Sequence, residues 1–568
     1  MLARVRPDTW CPTTGGTEAG GPGQGRRTGM VTTTGDEDTQ VEGPGADRWR
    51  SDRWVLPLAA LASLLVLVSN ISGIASGDDG VGYRATADSL LQGHGLGYFL
   101  ERPLVIWPPV WPWLMAAVAK VTPLDTLGAA ILLNAVVTFV AVVLGQRLLK
   151  RVVVQDRLVL VGTVVLAVGS STIGFGHLLM TDFAFATVAC ALLLLLLNAA
   201  DSGRVAWLVG AGATFWLAFG LRYASLYLLP IAGLWLLLDR RRDRIALRVR
   251  DAAVFGVSAL VVPVVWMLRN HSVDGTYTGP RYPSARGLVA NASDIVATLG
   301  RFLLPGVLNS KDRIWAVVAV LVLAVTVGLG LRVLLATRRD GESVLGRCVR
   351  LLGGPTGLVL MVGVGYLVYM LYVRSTTALN QLDLRLLHPA YLPLLVATLS
   401  LVAHLGSLGP EPANRWPRIG RLAVYAWAAL NVAAGIVAVV GFATGNPYFD
   451  GNYERDLFDK VRDNPALEAL PAGCRVESNL PNALYPRLES RWSPMRTQLE
   501  STERTDDLDR LVPTLAEHPT CLVWIDEQPR YGHLWTRDQL RRRVQLEQLA
   551  QHGDVTVYRM EPLPQTGG

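Results

Sequence analysis

No glycine-rich loop of the kind that cradles a nucleotide phosphate occurs in the chain, so a nucleotide-binding fold is not expected. The five cysteines (Cys11, Cys190, Cys348, Cys474 and Cys521) stand at no metal-ligand spacing, which removes a zinc site. No internal repeat of the sort that builds the paired halves of many transporters is visible. No stretch before Trp54 has the apolar core of a signal peptide. Charge is sparse as well: 17% of residues are charged against 51% hydrophobic, outside the balance of ordinary soluble proteins. The net charge of +7 asks for no nucleic acid, because the arginines gather beside apolar runs.

What is present is a series of apolar runs of about 18 or more residues, enough to cross roughly 30 Å of hydrocarbon. Trp54 to Ile74 and Trp315 to Leu335 are two of them. The expected fold is a polytopic α-helical membrane protein with about 11 spanning helices. They begin near residues 54, 126, 156, 179, 205, 223, 250, 314, 354, 385 and 421. With the N-terminus in the cytoplasm, the arginine-rich segments 146–151, 239–244, 338–350 and 415–421 all fall on the cytoplasmic side. That holds only if LVIWPPVWPWLMAAVAKV (104–121) does not span. Its paired prolines and short apolar core favour a helix lying in the interface, anchored by the tryptophans from Trp107 to Trp113. Residues 1–50 lack periodicity and apolar surface and are expected to form a disordered cytoplasmic tail, with Met30 an alternative start. Residues 51–443 are the membrane domain, and 444–568 a small extracytoplasmic α/β domain.

That last domain is read from the strand-type runs CRVES (474–478), CLVWID (521–526) and DVTVYRM (554–560), with helical stretches such as 506–518 between them. Cys474 and Cys521 each open a strand. A disulfide is conceivable outside the cytoplasm, but two buried thiols are the favoured reading.

The most informative stretch is residues 76–109, which packs Asp78, Asp79, Glu101, Arg102 and several aromatics into one loop at a membrane face. A plain connection between two spans needs only a handful of polar residues. Suppose a sugar arrives on a polyprenyl phosphate. Its transfer to an acceptor hydroxyl needs a base for the proton and cations for the departing phosphate. A carboxylate suits the first role, and the fixed donor fork of arginine suits the second.

Here a resemblance becomes specific. DDGVGYRATADSLLQGHGL (78–96) resembles the first external loop of the GT-C glycosyltransferases, and FLERPLVIWPP (99–109) the segment that follows it in aminoarabinose transferases and protein mannosyltransferases of family 39 type. HLLMTDFAFATVA (177–189) is similar to their second external-loop motif, and DLRLLHPAYLPLL (383–395) to a late R-x-L-x-P-x-Y-x-P run. The similarity covers most of residues 54–400 in order. It implies a GT-C-type fold and a hexosyl or pentosyl transferase of the outer membrane face. The donor would be a polyprenyl-phosphate sugar and the acceptor a glycan, a glycolipid or a protein. The setting would be cell-wall or envelope biogenesis in a GC-rich, actinobacterial-looking bacterium. It implies Asp79, four residues before Tyr83, as catalytic base, with Asp78 the alternative. The acidic pair is shifted one residue earlier than the family's common spacing, and Gly80 fills the second acidic place. By the same resemblance Glu101 and Arg102 match a Glu-Lys pair at the phosphate, Asp182 orients the acceptor or helps bind a metal, and Arg222 and Arg385 face the lipid phosphate.

Tyr83, His177 and Arg281 complete the candidate substrate-binding set, although His177, like His94, reads more simply as a structural or hydrogen-bonding residue. Arg281 and Arg286 lie in a second long loop, which reads equally as a closing lid or a solvated connector. Arg222 and Arg385 read equally as snorkelling side chains. Asp78, Asp79 and Asp182 are the only candidate ligands for Mg²⁺ or Mn²⁺, and the base role needs no metal. The competing class is a transporter or lipid flippase, whose ionisable groups would lie apart along a channel rather than together at one face. A non-catalytic partner of a larger assembly is the third reading.

Overall fold

The computed structural model describes residues 48–98, 102–281, 283–284, 286–303, 343–407, 416–445, 461–488, 491–492, 498–499, 502–503, 512–526 and 536–563, with isolated positions between 317 and 330. The span expected near residue 314 and nearly all of the N-terminal tail lie outside them. The helices run α1 (Arg48–Ser69), α2 (Asp78–Leu91), α3 (Val110–Val121), α4 (Thr126–Val152), α5 (Asp156–Val168), α6 (Ser170–Gly176), α7 (Asp182–Ser202) and α8 (Val205–Leu221). A 3-10 turn (Tyr223–Tyr227) leads into α9 (Leu228–Leu238), α10 (Ile245–Asp274) and α11 (Leu288–Leu303). Then come α12 (Val344–Leu352), α13 (Pro355–Thr376), α14 (Leu384–Ser407) and α15 (Trp416–Ala443).

Among the described residues, 8 stretches are long and apolar enough to cross a membrane, with α5 and α6 together making one of them. Val205–Leu221 and Tyr223–Leu238 are shorter apolar stretches beside them. Helix starts follow local signals. Asp125 caps α4 by accepting the Gly128 N–H at 2.8 Å, and Gly203, with φ +71°, ends α7 in the left-handed conformation. By contrast α3 has 12 residues, about 18 Å of helix, too short for a bilayer. Val110–Val121 accordingly falls outside the stretches long and apolar enough to span, and Trp113 and Leu114 stand exposed on it.

The bundle breaks its backbone between α6 and α7, where carbonyls freed in a membrane must find donors. Two buried amides supply them. Asn134 donates to the carbonyls of Gly176 (3.0 Å) and Leu178 (2.9 Å), and Asn70 donates to that of Gly176 (3.1 Å). Ala75 pairs with the same turn, accepting from the Leu179 N–H at 2.8 Å and donating to the His177 carbonyl at 2.9 Å. The residue this turn presents is Asp182.

At the other end of the same helices the basic turns collect. Arg151 bonds Asp201 and Asn198, Arg241 reaches Asp201 at 2.6 Å, and Arg242 and Arg250 flank Asp251 at 3.3 and 2.6 Å. Arginine is thus matched by acid within this end, and the two ends of the bundle differ sharply in sequence.

After the short pair β1 (Gly97–Tyr98) and β2 (Arg102–Pro103), the C-terminal region forms a five-stranded sheet in the order β4-β3-β7-β9-β8, comprising β3 (Arg475–Ser478), β4 (Arg491–Trp492), β7 (Thr520–Ile525), β8 (Val544–His552) and β9 (Val555–Pro562), with β5 (Gln498–Leu499) and β6 (Thr502–Glu503) a separate two-stranded pair. Strand β3 is parallel to both β4 and β7, while β9 is antiparallel to β7 and β8. The three strand runs read from sequence are β3, β7 and β9. Strand β8 was not among them: its Gln, Glu, Leu and Ala content favours helix, and pairing with β9 overrides it. The thiol reading of Cys474 and Cys521 is corrected, because the two are joined in a disulfide. Parallel pairing of β3 and β7 puts Val476 opposite Cys521 and brings the two sulfurs together.

Candidate active site

Helix α2 is 14 residues long and carries two faces. Asp79 and Tyr83, one turn apart, lie on the face toward the bundle. Tyr83 is buried, meets the Trp107 ring edge-on at 5.2 Å and sits 3.4 Å from the Thr181 hydroxyl. Burial, reinforced by the nearby Asp79 charge, raises the Tyr83 phenol above its ordinary range, so it remains a proton donor. Between them Gly80 touches the α6–α7 turn. A Cβ there would come within 2.9 Å of both the Leu179 carbonyl oxygen and the Ser76 hydroxyl. This accounts for the shifted acidic pair: no acid fits at position 80, because the helix must approach the turn that carries Asp182. Gly80→Ala is expected to push α2 off this turn, read as faster hydrogen exchange over residues 78–91 in purified protein.

Two ion pairs form the centre of the site. Arg385, in the first turn of α14, donates to Asp79 at 3.0 Å and lies 3.5 Å from the Met180 sulfur. Arg222, where α8 gives way to the 3-10 turn, pairs directly with Asp182. Asp182 is 0% exposed, and it feels Arg385 and Asp79 as well as Arg222, so the two pairs constitute one cluster. The Asp79 side chain retains 33% exposure. It is the more accessible acid of the two pairs. Each pair joins segments far apart in sequence, and all four residues sit at helix ends on the side away from the arginine-rich turns.

Sequence reasoning missed three contributors. Asp383 caps α14 by accepting the Leu386 N–H at 3.0 Å and adds a third negative charge beside Arg385. It opens the DLRLLHPAYLPLL run, so the signal was present. Tyr366 donates to the Leu386 carbonyl at 2.8 Å and lies near Arg222. Asn270, wholly buried, donates to the Tyr223 hydroxyl (2.9 Å) and the Tyr277 carbonyl (3.0 Å). Tyr223 in turn donates to the Val105 carbonyl at 3.0 Å, which pins the strand of loop leading to Trp107.

The remaining candidates are placed as follows. Glu101 lies outside the described residues, as do the side chains of Asp78 and Arg102. Their backbones belong to α2 and to β2 (Arg102–Pro103), which pairs with β1 (Gly97–Tyr98). His177 is buried and stacks on Phe442 with ring centroids 4.2 Å apart. Arg281 is exposed and donates to the Thr278 carbonyl at 2.8 Å. The second long loop is tied down: Arg286 donates to Asp294 at 2.9 Å, Asn291 to Ser375 at 2.9 Å, and Pro283 bridges to Thr377. As a potential cation site the cluster fits poorly. Its acids face guanidinium groups, and among the described residues no three His, Cys, Asp or Glu side chains come together to hold a metal ion.

Residues 107–267 match the dolichyl-phosphate-mannose-protein mannosyltransferase family. Among curated proteins none matches the sequence. Among solved structures the chain is similar to ArnT from Cupriavidus metallidurans bound to undecaprenyl phosphate. The TM-score is 0.55 at 13% identity, covering 89% of this chain and 98% of that one. A weaker likeness is to the oligosaccharyltransferase AglB from Archaeoglobus fulgidus, with TM-score 0.45, 12% identity, and coverage of 84% and 70%. The chain thus shares its fold with ArnT, and residues 107–267 carry the likeness to the mannosyltransferase family.

Proposed function

We propose that this chain moves a sugar from a polyprenyl-phosphate donor to an acceptor hydroxyl at the extracytoplasmic membrane face. Asp79 takes the acceptor proton as general base, while Arg385 and Arg222 hold the phosphate as negative charge develops on it. The observation that carries this reading is the convergence of both acid–guanidinium pairs at one end of the bundle, with Asp79 the more accessible of their two acids. A channel lined for transport would spread such groups along its length. Undecaprenyl phosphate in the ArnT structure supports a lipid-phosphate donor here. The Cys474–Cys521 disulfide suits an oxidising compartment for the C-terminal domain. The arginine-rich turns at the far end suit the cytoplasm.

The test is transfer by the purified protein from a panel of radiolabelled polyprenyl-phosphate sugars, including mannose, arabinofuranose, galactose and aminoarabinose carriers. Turnover of one donor is expected and names the sugar. If none is turned over or bound, the reading fails.

A further inference from the structure

The C-terminal sheet has the strand order of a doubly wound fold around β3: β4 lies on one side and β7, later in the chain, on the other. Both are parallel to β3, so a topological switch point falls between β3 and β7. In open α/β sheets ligands enter the crevice beyond the carboxyl ends of the strands at this point. Here the crevice is filled. Asn479, the residue after β3, bonds the backbone of Ile525 at the end of β7 in both directions, donating at 2.8 Å and accepting at 2.9 Å. Leu480, Ala483, Leu484 and Ile525 then form one apolar cluster with Val81 and Ala85 of α2. Beside that cluster the Tyr485 hydroxyl donates to Asp88, and the Arg84 guanidinium lies 5.7 Å from the Tyr485 ring centroid. The other carboxylate oxygen of Asp88 accepts from Thr126, the first residue of α4, at 2.8 Å.

We infer that the C-terminal domain grips α2 in its ligand crevice, and that Asp88 and Tyr485 are positioning residues for Asp79. Val81, Ala85 and Asp88 lie one and two turns apart on one face of α2, while Asp79 and Tyr83 lie on the other. The helix is therefore clamped between the α6–α7 turn, through Gly80, and the soluble domain. Asp88 ties the domain, α2 and the start of α4 into one frame. The base is thus aimed by a domain whose described residues make no hydrogen bond or salt bridge with the ion pairs. This rests on the assignment of Asp79 as base.

Two variants of the full chain test it: Tyr485→Phe, which removes one donor, and Ala85→Glu, which puts a charge into the apolar grip. Hydrogen exchange of residues 78–91 and steady-state kinetics with the preferred donor are read together. Faster exchange confined to α2 is expected in both. The kcat should drop about tenfold for Tyr485→Phe and about 10²-fold for Ala85→Glu, as displacement of a reacting group by about 1 Å produces. The donor KM should stay put, which a general loss of folded protein would also leave but without the selective exchange. Unchanged kcat in both variants overturns the positioning role. Should the parent turn over no donor, the proposed activity is what fails. The exchange arm then decides the grip by itself, and undisturbed α2 protection in Ala85→Glu overturns it.

Discussion

On the proposed mechanism, Asp79→Asn is expected to lower sugar transfer by about 10²–10⁴-fold, the range that a positioned general base supplies, while leaving the protein folded and able to bind the proposed lipid-phosphate donor. The fold should survive because the side chain is one-third exposed and its single ion pair, to Arg385, is only partly desolvated. The amide keeps the shape and can accept a hydrogen bond from Arg385, so what disappears is the ability to take a proton. Asp182 is the poorer base on the same geometry. It is fully buried against Arg222, and an acceptor hydroxyl would have to displace a guanidinium to reach it. Transfer assayed beside binding of the lipid phosphate checks this. Parental turnover in Asp79→Asn would move the base to Asp78 or Asp182.

The positions of several helices were legible because hydropathy runs are local signals. Helices α4, α5 and α8 begin at 126, 156 and 205, where the runs begin, and the paired prolines at 108 and 109 mark a segment that stays short. The acids and arginines were legible only one by one. Nothing local says that Arg385 reaches Asp79 across 306 residues of sequence, since that distance closes only when α14 packs beside α7. The reason for glycine at position 80 likewise belongs to tertiary contact, as it is the approach of α2 to Leu179 that forbids a side chain. The disulfide was visible as two cysteines in strands but not as a bond, because the order of β3 and β7 in the sheet decides whether the sulfurs meet. Asp383 was passed over for the opposite reason: a helix-capping aspartate reads as punctuation, and its second role beside Arg385 needs the assembled cluster.

The other large effect concerns the buried pair. Asp182→Leu should destabilise the protein by about 3–5 kcal/mol, because it strands the Arg222 guanidinium without its partner in a site that water scarcely reaches. Only 19% of the Arg222 side chain is exposed, and Asp182 has none. Replacing both partners at once, Asp182→Leu with Arg222→Met, removes the stranded charge and should return unfolding temperature close to that of the parent, since a buried ion pair exchanged for packed apolar groups is often neutral. Activity should not return with it. If the pair served packing alone, the double variant would fold and transfer sugar. If Arg222 steadies the phosphate and Asp182 holds Arg222 in place, the double variant folds and is inert, because a methionine offers no donor to an oxyanion. Thermal unfolding in detergent and transfer, measured on the same preparations, separate the two roles. A folded double variant with parental turnover would remove Arg222 and Asp182 from the site and leave Asp79 and Arg385 as its working core.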